Sequence, residues 1–208
     1  MSDSNPIVFV VDDDISVRES VELLIGNAGW QARTFKTAQE FLSHPRVRVP
    51  SCLILDVRLP GLNGLELQKR VAAERPDMPI IFITGYGDVP TSVQVMKAGA
   101  VEFLTKPFGE DVLLGAIENA LVRSAAALRL EDEALALHNR FAALSNRERE
   151  VMTLIVGGLM NKQVGFELGI SEITVKAHRG RVMRKMNATS FADLVNIAAK
   201  LGPIRQSH

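Results

Sequence analysis

Asp12 and Asp13 follow the apolar run Ile7–Val11, Asp56 follows Cys52–Leu55, Thr84 follows Ile80–Ile83, and Lys106 follows the weaker run Val101–Thr105. Each run thus closes on a residue that can bind a charge or accept a proton. If one end of a fold gathers them, three carboxylates lie together, repel one another and call for a compensating cation. A site built only of oxygen ligands suits a hard ion such as Mg2+. An aspartate beside such an ion can attack a phosphoryl group, while the ion and a lysine ammonium stabilise the transferring charge and a threonine hydroxyl contacts a phosphoryl oxygen. The chemistry these residue types specify is formation of an acyl phosphate. Asp14, next to the first pair, is read as a solvated helix-start acid.

Bringing these residues together requires parallel strands. Unbroken apolar runs of four or five residues, rich in β-branched side chains, read as strands buried on both faces of a sheet. Gln31–Phe35 and Val101–Thr105 are weaker strand candidates. Helical patterns alternate with the runs. Val17, Val21, Leu24 and Ala28 follow Ser16, read as an N-cap with Glu19 completing a capping box. Leu65–Ala73, Val89–Ala98 and a segment from about Glu110 behave likewise. The pattern predicts a (βα)5 doubly wound fold, an α/β class whose ligand site lies outside the carboxyl ends of the strands. Gly85-Tyr-Gly87 reads as a turn, Cys52 as an inert core residue and His44 as a surface loop residue.

The chain of 208 residues has room for two modest cores, and its 47% hydrophobic and 23% charged content separates it from disordered chains. No apolar run approaches the ~20 residues of a membrane span, and residues 1–6 lack the basic start of a secretory signal, so a cytoplasmic protein with no membrane partner is expected. One cysteine excludes an intramolecular disulfide, and histidines 44, 138, 178 and 208 have no zinc-ligand spacing. The zero net charge conceals an asymmetry. Residues 1–124 carry 12 Lys and Arg against 16 Asp and Glu, and residues 125–208 carry 12 against 8, which points to different partners for an acidic front and a basic rear.

From Glu110 to about Arg140 there is no proline, and Leu114, Leu121, Leu128 and Leu135 recur every seven residues. One long helix is the economical reading. Its second heptad position runs Ile117, Ser124, Glu131 and His138, so a coiled-coil seam fades early and the later part reads as a linker helix over residues 125–141. Beyond it, Ser145 and Glu148 form a capping box, Gly157-Gly158 ends the helix, and Asn161 opens a short helix to Leu168. Gly169-Ile170-Ser171 turns into a helix from Glu172 to about Met186, which makes a helix-turn-helix. A last helix, Phe191–Leu201, closes a small all-α core through Leu194, Ile197, Ala198 and Leu201. Val175, Val182 and Met186 form the apolar face of the helix after Ser171. Thr174, Lys176, Ala177, Arg179, Gly180 and Arg181 are its candidate contacts to double-stranded DNA. Gly165 and Gly180 each interrupt a helix at about 0.8–1.0 kcal/mol relative to alanine. His178 is read as a packing or backbone-bonded residue.

The set Val11-Asp-Asp13, Asp56 with Leu59-Pro-Gly61, Ile83-Thr-Gly85, Ala98-Gly-Ala100 and Lys106-Pro-Phe108 resembles the receiver domain of two-component response regulators. That resemblance implies that Asp56 is the phosphoacceptor, and that Asp12, Asp13, Asp56 and the carbonyl of Arg58 hold Mg2+. It further implies that Lys106 pairs with the phosphoryl group before a cis bond to Pro107, and that Thr84 and Phe103 are the switch pair. Leu144–Val151, Gly158–Lys162, Glu167–Ser171, Thr174–Lys176, His178 and Lys185-Met186 resemble the LuxR-type DNA-binding domain, in which alanine is usual at the position of Gly165.

Together they resemble the FixJ and NarL type of response regulator, closest to the FixJ and StyR branch in Gly87–Pro90 and Met96–Val101. The implied organisation is a flavodoxin-like receiver over 1–124, a linker helix over 125–141 and a four-helix reader over 142–208. The implied function is a non-enzymatic transcription factor phosphorylated by a cognate sensor histidine kinase, and a homodimer when phosphorylated. Two other readings use the same residues: a DNA-binding regulator controlled by protein contacts alone, and a Mg2+-dependent phosphatase acting on an external ester.

Overall fold

The computed structural model describes residues 5–61, 64–85, 96–97 and 99–202. Two compact units divide the chain, residues 1–130 and 131–208. In the first, β1 (Ile7–Val11), β2 (Gln31–Phe35), β3 (Ser51–Asp56), β4 (Ile80–Thr84) and β5 (Glu102–Thr105) form one parallel sheet in the order β2-β1-β3-β4-β5. The three runs read as buried strands are the inner ones, buried along their whole length. The weaker runs, β2 and β5, are the edges, whose polar residues meet solvent.

Successive side chains of a strand face opposite ways, and the core divides accordingly. Val8, Val10, Ile54, Ile81 and Ile83 pack against Val21 and Ile25 of α1 (Ile15–Asn27) and against Leu113, Ile117, Ala120 and Leu121 of a 33-residue helix, Glu110–Ala142. Phe9, Val11, Leu53, Leu55 and Phe82 face Phe41 of α2 (Ala38–Ser43) and Leu67 and Val71 of α3 (Gly64–Glu74). Helices on both faces make the sheet doubly wound. The helix expected over Val89–Ala98 lies outside the described residues apart from Met96 and Lys97.

Two local readings are corrected. Asp14, and not Ser16, caps α1, because its carboxylate accepts a hydrogen bond from the Ser16 amide at 2.8 Å and the helix begins at Ile15. His44 is half-buried at the end of α2, its ring edge-on to Phe9 and Phe35 and its Nε2 2.6 Å from Arg33 Nη1, so it belongs to the packing. Cys52 is fully buried, and burial pushes its thiol up to about 12, as an inert core thiol requires.

The long helix, α4 in chain order, contains the division between the units. Ser124, the first polar residue of its heptad pattern, is fully buried, and its hydroxyl accepts a hydrogen bond from the Ser51 amide at 3.0 Å where β3 begins. In the second unit, α5 (Asn146–Val156), α6 (Asn161–Leu168), α7 (Glu172–Met186) and α8 (Phe191–Leu201) enclose Leu144, Val151, Met152, Ile155, Val164, Val175, Val182, Met186, Leu194 and Ala198. Leu137 and Phe141, from the last turns of α4, pack on the same core.

Candidate phosphoacceptor pocket and DNA-reading helix

The sheet order reverses between β1 and β3, and the crevice beyond their carboxyl ends is where an open α/β sheet binds its ligand. Asp12 and Asp56 meet there. Oxygens of Asp12, Asp13 and Asp56 all lie within 4.8 Å of one another. Asp12 is fully buried, Asp56 is 7% exposed and Asp13 is open to solvent. Lys106 reaches over from the end of β5, its Nζ 2.7 Å from Asp12 Oδ2 and 2.8 Å from Asp56 Oδ2. The remaining oxygens are held by main chain. Asp12 Oδ1 accepts from the Asp14 amide at 2.9 Å, and Asp56 Oδ1 from the Arg58 amide at 2.8 Å.

The electrostatics follow from this packing. Burial raises the Asp12 carboxyl, and the bonds from Lys106 and Asp14 reverse only part of that. For Lys106 burial acts downward, but the two carboxylates more than offset it and the ammonium ends above its ordinary value. The pocket therefore keeps its lysine charged between two acids. An all-oxygen donor set with a buried, cation-seeking aspartate fits a divalent hard ion, and the exposed Asp13 leaves a side open to solvent for its waters.

Thr84 ends β4 with 1% exposure, and its carbonyl accepts from the Lys106 amide at 2.7 Å. The register pairs Thr84 with Thr105 and Phe82 with Phe103. Thr84 and Phe103 therefore share one face of the sheet, two residues apart along the strands, with Phe103 half-buried against the core around Phe82. The Lys106–Pro107 bond is cis, as expected. Sequence reasoning missed two residues that position the pocket. Arg18 donates from Nη1 to the Asp12 carbonyl at 2.7 Å and anchors the acidic loop to α1. Gly64 lets α3 start against β3, since a Cβ there would stand 2.9 Å from the Asp56 carbonyl oxygen and 3.1 Å from Phe82.

In the second unit, the Ser145–Glu148 capping box forms as read, and Lys185 Nζ binds Glu148 Oε2 at 2.7 Å. The Lys185 bond, then the Ser145 amide, hold the Glu148 carboxyl down at about 2. Ser171 caps α7 by accepting from the Thr174 amide at 3.1 Å. Thr174, Lys176, Ala177, Gly180 and Arg181 are exposed on α7. Arg179 stands apart from them. It is half-buried, donates to Asn161 Oδ1 at 3.3 Å and lies 4.9 Å over the Phe191 ring, contacts that pin α7 to α6 and α8. His178 is half-buried, with its Nδ1 enclosed.

A doubly wound unit with an acidic crevice at its switch point, in one chain with a helix-turn-helix unit, defines a class: a receiver-type switch carrying a DNA-binding output. Residues 8–118 match the response regulator receiver domain family, and residues 142–198 match the luxR family of bacterial regulatory proteins. Nodulation protein W of Bradyrhizobium diazoefficiens is 49% identical over 94% of this chain and 86% of its own. The transcriptional regulatory protein FixJ of the same species is 42% identical over 94% of this chain and 95% of its own. Among solved structures, the response regulator StyR superposes with a TM-score of 0.84 at 47% identity, over 95% of this chain and all of that one. The chain belongs to the two-component response regulators with a LuxR-type DNA-binding domain, and it is a transcription regulator. No helix among the described residues is long and apolar enough to cross a membrane.

Proposed function

We propose that Asp56 is the phosphoacceptor and that a cognate sensor histidine kinase is its donor. The observation that carries this reading is the meeting of Asp12, Asp13 and Asp56 within 4.8 Å, with Lys106 Nζ between two of them. A bond forms from an Asp56 carboxylate oxygen to phosphorus as the phosphorus–nitrogen bond of the donor phosphohistidine breaks. The electron pair returns to the imidazole, which recovers its neutral form with a proton from solvent. Asp12, Asp13, Asp56 and the Arg58 carbonyl would hold Mg2+, which when bound supplies charge neutralisation for the phosphoryl oxygens. Lys106, already beside Asp56, turns its ammonium to the new phosphoryl group. The Thr84 hydroxyl moves toward it, and Phe103 follows along the shared face of the sheet. The chain is a switch modified at one residue, with no substrate turned over.

Phosphorylation shifts a population and releases or pairs the output module. The modified form is a homodimer that reads two half-sites of double-stranded DNA in the cytoplasm. Residues 1–124 form the receiver, 125–141 the linker helix and 142–208 the reader. Thr174, Lys176, Ala177, Gly180 and Arg181 meet the DNA directly, and Arg179 reaches it by leaving Asn161 and Phe191. Intact mass after incubation with a small phosphodonor tests the acceptor. A Mg2+-dependent, base-labile phosphoryl adduct is expected on the native chain and not on Asp56→Asn. A folded chain without an adduct in any condition points to control by protein contacts. Sustained phosphate release from an external ester points to a phosphatase.

A further inference from the structure

Ile173 is the second residue of α7, and it is 79% exposed. Its direction is set by the helix. Val175, Val182 and Met186 are fully buried and define the inward face. Lys176, Ala177 and Gly180 follow Ile173 at three, four and seven residues, which places all four on the outward face. Gly180 leaves that face open, with no atom within 4 Å of where a Cβ would stand. A large β-branched side chain therefore projects into water from the first turn of a helix whose outward neighbours are basic or small. That turn is held by its own polar groups. The Ser171 and Thr174 hydroxyls bond each other at 2.8 Å, and Glu172 pairs with Lys176 at 3.1 Å.

The first turn of a recognition helix is the part that meets base edges in the major groove. One apolar group is on offer there, the C5 methyl of thymine. We infer that Ile173 is a specificity-determining residue that reads a thymine methyl group. Desolvating both apolar surfaces favours a thymine at that position over cytosine, guanine or adenine, while Lys176 on the same face supplies charge. This inference rests on α7 being the DNA-reading helix, and the test separates the two.

The full chain, treated with a phosphodonor, selects its preferred duplex from a random-sequence double-stranded DNA library. Each thymine of that duplex is then replaced in turn by uracil, which removes only the methyl group. For the native chain, one thymine per half-site is expected to lose about four-fold in affinity on replacement, the ~0.8 kcal/mol of one buried methyl-sized group. For Ile173→Ala that position becomes indifferent to uracil, and for Ile173→Val the sensitivity returns. Native binding that ignores every uracil, or Ile173→Ala keeping the native uracil profile, overturns the inference. Lys176→Ala is the control for the helix itself. If Lys176→Ala binds as tightly as the native chain, or if no sequence is enriched, the DNA-reading role of α7 fails and this inference with it.

Discussion

Gly180 and Gly165 have the same sequence-level cost and opposite surroundings. Gly180 lies inside α7 on its exposed side, with nothing within 4 Å of an added Cβ. Gly180→Ala therefore recovers the full helix preference of alanine over glycine, about 0.8–1.0 kcal/mol. The second unit, residues 131–208, is in the size range where 1 kcal/mol moves the melting midpoint by about 4–8 °C. At Gly165 the added Cβ would stand 2.7 Å from the carbonyl oxygen of Ile170, in the turn between α6 and α7. That atom is main chain, and it cannot swing aside as a side-chain tip would. Forcing helix and turn apart costs about 1–3 kcal/mol, which cancels or exceeds the gain. Calorimetry of the full chain, with the reader's transition assigned from the variants themselves, is the assay. Gly180→Ala is expected to raise that transition and Gly165→Ala to leave it unchanged or lower it. A rise for Gly165→Ala as large as for Gly180→Ala would refute the steric argument and return both glycines to their sequence-level cost.

The Glu148 carboxyl sits at about 2 in the folded unit against an ordinary 4.5, so its contribution is complete above about pH 4.5 and drains away as pH falls toward 2. Glu148→Gln should cost about 1–3 kcal/mol at neutral pH and flatten the acid limb of urea midpoints in that window; an unchanged acid limb would exclude the pair as its source. Lys106 occupies the oxygens that a divalent ion would share. Lys106→Met should tighten Mg2+ binding about tenfold by calorimetric titration, because a charge-assisted hydrogen bond is worth about 1.5 kcal/mol. Weaker binding would mean that the lysine orients the carboxylates and does not compete for them.

How far the fold could be read from residues depended on whether a residue's role was local. The inner strands announced themselves as continuous β-branched runs because burial on both faces leaves no place for polar residues, and their ends located Asp12, Asp56 and Thr84. The Ser145–Glu148 capping box and the Ser171 N-cap of the reader were visible for the same reason, since their partners are three residues apart. Competition between neighbouring caps was not visible: Asp14 and Ser16 both suit an N-cap, and the geometry of the loop after β1 decides between them. Long-range polar docking was invisible too. Ser124 broke an apolar heptad pattern and looked like a weakening seam, while its actual partner is 73 residues earlier in the chain. Arg179 had the right charge for DNA, and only the approach of Asn161 and Phe191 shows that it also serves the packing. Gly64 carried no signal, because its role is a close approach to the main chain at Asp56 and Val57 and to Phe82.

Among the described residues, a set of ties that hold the reader lies within residues 137–201. Lys185 bonds both Glu148 and the carbonyl of Ala143, Arg149 grips the carbonyl of Ala142 and stacks on Phe141, and Leu137 finishes the core. Such a reader is a cartridge that brings its own socket. Cutting the chain at residue 142 removes the Phe141 ring under Arg149 together with Leu137, whereas cutting one turn before Leu137 keeps every one of these ties. Recombination that carries this helix tail along to a different receiver keeps these ties, whereas a joint at residue 142 loses the Phe141 and Leu137 contacts.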